Sequence, residues 1–494
     1  MENLLELLER EKAGLESAEV KVYEKSRTTY ENVSLLMVKE NGTKLLLAEG
    51  EGLLYDDLEG EVVRGKGKVC PLTHENRLVL NRYFDFTVPQ AFGTNIATMG
   101  LGDRLGLASP GHIETLLNRN VKPILGQQSI RELTLTNRSM TDMLDAAAFA
   151  VFQEGYTGGY GADADHIKEE KDIRYALDLG VSMLTLDCSD QIQKRIESAS
   201  EAEVRAEFNG LPQEKQNYYN RTYLNKTFNV NGFNIAFDEV AVMKNVLLYG
   251  EAISFMTHVY VEYINKLDRE FDFEISIDET ETVTSPDAHF FVANELKQKG
   301  VSVASLAPRF CGEFQKGIDY IGDVEQFERE LSEHASIAEY FEYKLSIHSG
   351  SDKFTVFPII AKYTKGLLHI KTAGTSWLEA VRVIAKTNPD LYRRMHQYAD
   401  DNIAEALKYY HITPDFDAIS SLDEVSDEKL VDYLNDDNAR QLLHVTYGLL
   451  LTAKDENGNS LFKDGFFNEL DKEEELYRKY LIKHIGRHVD TLGL

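Results

Sequence analysis

The sequence predicts an α/β protein built on a closed parallel (β/α)8 barrel of the TIM type, with an N-terminal α+β cap and a helical C-terminal extension. Three observations lead there. Between about residues 91 and 390, eight short β-rich runs recur, each followed by a polar or Gly-rich break and a helical stretch: TNIATMG, VKPILGQ, GYTGGYGAD, VSMLTLD, FEISID, VSVASLAP, YKLSIH and LLHIKT. Eight such units are the number a closed barrel needs. Helix-start chemistry follows the runs, and no GxGxxG or P-loop sequence follows any of them, which disfavours an open dinucleotide-binding sheet.

The elements can be justified in order. Residues 1–90 begin with Leu4, Leu5, Leu7 and Leu8 at helical spacing, then turn to β-like runs. Asn41-Gly42 stands between the apolar segments VSLLMV and KLLLAEG, a strong hairpin signal because both turn positions tolerate positive φ. Within the barrel, Ser285 before Pro286 reads as an N-cap followed by proline in the first turn. Asp323 with Gln326, and Ser376 with Glu379, have capping-box spacing. About 85 residues separate the fourth run, ending at Asp187, from the fifth, starting near Phe271. That interval holds an insertion at about 190–250, either a lid over the site or a surface subdomain. Residues 391–494 read as helical throughout.

Composition bounds the function. The 494 residues are 43% hydrophobic and 27% charged, enough to bury a substantial core. With 82 Asp+Glu against 53 Lys+Arg, the net charge is -29, which argues against nucleic acid or an anionic membrane as partner. Any anionic substrate then needs local cations or a metal. Three cysteines far apart (Cys70, Cys188, Cys311) fit a reducing compartment without structural disulfides. The opening MENLLELLEREKAGLES lacks the basic-then-apolar order of a signal peptide, and no apolar run is long enough to span a membrane. The expectation is a cytoplasmic protein, with a homo-oligomer left open.

Barrel enzymes carry their chemistry at the C-terminal ends of the strands. Three histidines, His166, His348 and His369, come from the ends of three different runs. Converging imidazoles with one or two carboxylates can hold a borderline divalent metal such as Mn, Co, Ni, Fe or Zn. His369 lies before the end of its run and has a core role as its alternative. Asp165 reads either as a functional carboxylate or as the N-cap of the helix beginning HIKEEK. Glu279 follows Asp278, and one of the two must face away from the barrel axis. Arg309 and Lys316 share a Gly-containing loop and can take a substrate carboxylate, a surface salt bridge being the alternative. Gln127 and Asp187 complete the rim as candidate substrate contacts. Gly350-Ser351-Asp352-Lys353 is either an anion-binding loop or a turn.

FGTNIATMGLGDRLGLASPGHI, GYTGGYGADADHIK, SIDETETVTSP, LAPRFCGEFQKGIDYIGD and LSIHSGSDKFTVFP together resemble the tagaturonate/fructuronate epimerase family of hexuronate catabolism, and the similarity continues into NARQLLHVTYG in the helical tail. The resemblance implies a divalent-metal-dependent epimerase of ketouronates. The epimers differ at a hydroxyl-bearing carbon β to the ketone, out of reach of simple α-proton abstraction. A retro-aldol/aldol route inverts that carbon, with Asp165 and Glu279 handling protons, the three histidines on the metal, and Arg309 on the carboxylate. Transient oxidation would need a tightly held nicotinamide, for which the sequence has no fingerprint. A metal-dependent aldolase or aldose–ketose isomerase, and a non-catalytic sugar-acid-binding protein, are the competing readings.

Overall fold

The computed structural model describes residues 2–9, 20–278, 282–372 and 374–494. Five strands form the N-terminal sheet: β1 (Val20–Tyr30), β2 (Val33–Glu40), β3 (Thr43–Gly50), β4 (Glu61–Arg64) and β5 (Gly67–Pro71). They are antiparallel in the order β1-β2-β3-β5-β4. Asn41 (φ 49°) and Gly42 (φ 79°) make the predicted tight turn between β2 and β3. The sheet buries Leu35, Met37 and Leu46 against Phe149 and Phe152 of helix Met140–Gln153, which fastens it to the outside of the barrel.

The eight predicted runs become β6 (Ala97–Gly100), β7 (Val121–Ser129), β8 (Gly161–Ile167) and β9 (Met183–Asp187), then β12 (Asp272–Ile277), β13 (Ser305–Pro308), β14 (Lys344–Ile347) and β15 (Leu368–Lys371). Neighbours pair in parallel, and β9 joins β12 while β15 joins β6, so the barrel closes. Between β9 and β12 the insertion folds as helices and the hairpin β10 (Lys226–Val230) and β11 (Phe233–Phe237). It packs Tyr223, Phe228 and Phe237 on Phe290 and Phe291 of helix Pro286–Gln298, an outer-wall position. The helical tail is organised around Trp377, which stacks on Phe466 at 4.9 Å and donates Nε1–H to the Leu443 carbonyl at 2.9 Å.

Strand alternation explains the unusual barrel lumen. Along β12, Phe273, Ile275 and Ile277 pack in the main core cluster, while Asp272, Glu274 and Ser276 take the opposite face. The buried polar set Thr98, Asp163, Thr185, Glu274, Ser305, His369 and Lys371 therefore replaces the branched aliphatic layers common in such barrels. It is a bonded network. Lys371 Nζ lies 3.0 Å from Asp163 Oδ2, 2.6 Å from Asp165 Oδ1 and 2.8 Å from Glu274 Oε1.

Two local expectations change. Ser285 caps as predicted, accepting from the Ala288 N–H, and Asp323 accepts from the Glu325 and Gln326 N–H groups. Ser376, however, lies inside helix Thr375–Thr387, whose N-cap is Gly374, and it is engaged by His112 Nε2 at 2.9 Å. Asp165 caps no helix. It belongs to β8, and the following helix begins only at Glu170 with Glu169 as N-cap.

Candidate active site at the barrel mouth

Strand β8 carries the first half of the site. Its pairing with β9 runs Asp163↔Met183 and Ala164↔Leu184, then resumes at Ile167↔Leu186. Two residues, Asp165 and His166, thus oppose Thr185 alone, which is a β-bulge. Plain alternation would point these neighbours to opposite faces. The bulge, with His166 at φ 53°, lets both line one cavity. Ser349 (φ 50°), directly after His348, is a second non-glycine residue in the left-handed region there, as expected where a site over-determines its backbone.

That cavity, of about 210 Å³, lies at the C-terminal ends of the strands and is lined by Gln127, Asp165, His166, Asp187, Asp278, Lys316, His348 and Lys371 among others. A larger one, about 790 Å³, opens at the opposite end, where Val301, Tyr343 and Leu367 precede their strands. The smaller cavity is the candidate site because titratable side chains converge there at the C-terminal ends of the strands, whereas the larger is lined by apolar helix residues such as Ala293, Leu296 and Ala338 and by the segments that lead into the strands.

Among the described residues, His166, Asp278 and His348 each offer a ligand atom, and these atoms all lie within 4.8 Å of one another. The two rings are 4.9 Å apart. Carboxylates orient both: His166 Nδ1 lies 2.8 Å from Asp165 Oδ1, and His348 Nε2 lies 2.8 Å from Glu274 Oε1. His348 Nδ1 is 3.1 Å from Asp278 Oδ2, which also accepts from the Ser276 hydroxyl through its other oxygen. Burial opposes charge on His348, yet Asp278 and Glu274 outweigh it and push the ring up to about 10. Burial likewise opposes ionisation of Asp165 and Glu274, but Lys371 above all holds both well below the usual carboxylate range. The mouth is built to stabilise positive charge between His166 and His348.

A second group, Asp352, His484 and His488, also has metal-like spacing. Two of its three members are already engaged: His488 Nε2 accepts the Asp352 N–H at 2.9 Å, and Asp352 Oδ2 meets Arg440 Nη2 at 2.6 Å, while His484 Nε2 lies 3.6 Å from Asp352 Oδ1. These contacts tie the loop after β14 to the tail. Lys353 in that loop gives its ammonium to the Gln315, Ile318 and Ser351 carbonyls, a structural turn.

Of the residues singled out in the sequence, Gln127, Asp165, His166, Asp187, Lys316 and His348 share the cavity. His369 does not join them. It is fully buried in the lumen with Nδ1 2.8 Å from Thr98 Oγ1, and burial pushes its ring down to about 3. Arg309 is not among the lining residues; its backbone N–H and C=O both bond Thr284. Glu279 lies outside the described residues. The cavity's cations are Arg131, Lys168, Lys316 and Lys371 instead. The tail supplies Tyr410, whose hydroxyl is 3.0 Å from that of Tyr447, and Tyr447 in turn lies under the Arg104 guanidinium at 3.7 Å. NARQLLHVTYG thus braces one wall of the mouth.

A closed (β/α)8 barrel with an acid- and imidazole-lined mouth beside several cations is an enzyme scaffold for a small polar anion. The model of the family described as tagaturonate epimerase matches residues 23–492. The tagaturonate/fructuronate epimerase of Thermotoga maritima is 42% identical over 479 residues, covering 95% of this chain and 96% of that one. The native crystal structure of the fructuronate-tagaturonate epimerase from Cohnella laeviribosi superposes with a TM-score of 0.96 at 56% identity, covering 100% of both chains. Its complex with one glycerol gives the same TM-score and identity, covering 100% of this chain and 99% of that one. The chain belongs to the tagaturonate epimerase family and is an enzyme of the isomerase class.

Proposed function

We propose that the chain interconverts D-fructuronate and D-tagaturonate by retro-aldol cleavage and re-addition at a divalent-metal site formed by His166, Asp278 and His348. The observation that carries the reading is the convergence of these three donors, each imidazole backed by a carboxylate, at the mouth of a cation-flanked cavity in a chain of this family. Two imidazoles and one carboxylate suit a borderline divalent ion with open positions, and carboxylates behind the rings are the usual support for such ligands. Held by His166, Asp278 and His348, a divalent ion would supply a Lewis acid for the negative charge that develops on the substrate.

The chain's own groups handle the rest. Asp165, held ionised by Lys371 and His166, fixes His166 and accepts a hydrogen bond from a substrate hydroxyl. Asp187, buried on the neighbouring strand with Oδ1 taking the Ser189 N–H at 2.8 Å, takes the proton of the hydroxyl on the carbon to be inverted. The bond between that carbon and the one next to the ketone then breaks, its electrons pass to the ketone side as an enediolate, and an aldehyde forms. The aldehyde turns its other face before the bond reforms and the proton returns. Glu279 remains the proposed second acid/base group. In D₂O, product should therefore form without deuterium at the inverted carbon. Deuterium found there by NMR would mean direct deprotonation and end this scheme.

The substrate carboxylate is assigned to Lys316 and Arg131, which line the cavity where Arg309 does not. Lys316→Gln should raise KM for the ketouronates roughly tenfold or more, with a far smaller effect on the matching neutral ketoses. Equal effects on both substrate types would remove Lys316 from that role.

A further inference from the structure

Gln127 is 1% exposed and forms part of the cavity wall, yet neither its Oε1 nor its Nε2 has a hydrogen-bond partner among the described residues. Buried amides are almost always paired, because removing both dipoles from water without compensation is unfavourable. Packing keeps the group in place. At Gly100 on β6, a Cβ would stand 2.5 Å from Gln127 Oε1 and 2.9 Å from its Cδ. Gly100 has no left-handed φ, so its glycine is explained by the room it leaves for this amide, not by backbone conformation. Gly100 pairs with Lys371 in register, which sets the amide beside the charged network at the cavity floor.

We propose that Gln127 reads the substrate. Its amide oxygen accepts from one hydroxyl and its NH₂ donates to a neighbouring oxygen of the sugar acid, on the part of the molecule that both epimers share. The inference rests on the ketouronate reading above. An unpaired buried amide destabilises the empty protein, and bound substrate removes that penalty, so stability and substrate affinity should move in opposite directions on its removal. Val, Leu or Ala would leave a gap, whereas methionine matches the length and carries no amide.

The test measures KM, kcat and Tm for Gln127→Met and Gly100→Ala, the Tm with and without a saturating equilibrated mixture of the two ketouronates. Gln127→Met should raise KM roughly tenfold with much less change in kcat. Its substrate-free Tm should rise by on the order of 1–2 °C, and the further rise on adding substrate should shrink. Gly100→Ala displaces the same amide without deleting it and should raise KM likewise. An unchanged KM in Gln127→Met overturns the proposal, as does a lower Tm with equal losses in kcat and kcat/KM, which would mark the amide as packing only. A wild-type chain that interconverts neither ketouronate would instead sink the functional reading, a result distinct from either of these.

Discussion

Replacing Lys371 with methionine is expected to lower the free energy of unfolding at pH 7 by about 3–5 kcal/mol, the usual consequence of removing one partner from a buried ion network. The ammonium is 3% exposed by residue and lies within 3.0 Å of Asp163, Asp165 and Glu274, with Thr185 Oγ1 at 2.5 Å. Without it, three carboxylates share one closed space, and each can lose its charge only by taking a proton. The pH dependence should change sign. In the native chain the depressed Asp165 and Glu274 contribute stability that is present above their unfolded values, near 4, and is lost as pH falls. Asp163 runs the other way: burial first, then its two acidic neighbours, push it up to about 6, so its contribution is lost as pH rises through that value. In Lys371→Met, Asp165 and Glu274 lose their strongest counter-charge and keep the His166 and His348 rings, so their depression should shrink, the Asp163 pattern should dominate, and stability should fall as pH rises from about 5 to 8. Urea titrations at pH 5, 6, 7 and 8 read this directly. A variant as stable as the native chain, with the same pH slope, would show that the network does not depend on Lys371.

That network also shows which parts of the site the sequence displays and which it hides. The strand count was legible because each barrel strand is a compact apolar run bounded by breaks, a pattern that local propensity and burial both favour. The lumen face was legible in principle as well. In DFEISID the polar phase Asp272, Glu274, Ser276 continues to Asp278, so alternation alone places Asp278 toward the axis. The same phase in KLSIH carries Lys344 and Ser346 to His348, and in LHIK it puts His369 two residues below Lys371, under the rim rather than on it. His166 is different. Counting from Asp163 and Asp165 sends it outward, and only the one-residue bulge against β9 brings it in. Bulges depend on tertiary pairing, so periodicity carries no trace of this one. That Lys316 and Arg131 line the cavity while Arg309 does not is equally non-local, because loop direction after a strand is set by what packs on it.

Substituting His348 with alanine should lower kcat/KM by roughly 10²–10⁴, the equivalent of several kcal/mol of lost charge stabilisation in the transition state. Asp278→Asn and His166→Ala should do the same, since the proposed site has only these three donors, all within 4.8 Å of one another. Each loss should appear independently of turnover as reduced Zn²⁺ or Mn²⁺ stoichiometry by elemental analysis and calorimetric titration. Exhaustive chelation of the native chain should mimic all three variants and be reversed by adding a divalent ion. His369→Ala provides the contrast. That ring is fully buried and bonded to Thr98, so its loss should leave a cavity and remove one of the two hydrogen bonds of the Thr98 hydroxyl, which keeps Lys344, lowering stability by about 2–4 kcal/mol while metal stoichiometry stays unchanged. If His369→Ala loses the ion and His348→Ala keeps it, the donor set proposed here is wrong and the centre lies deeper in the lumen, around Glu274. If chelated protein retains full activity, no ion takes part, and the His166–His348 pair must act through its own protons.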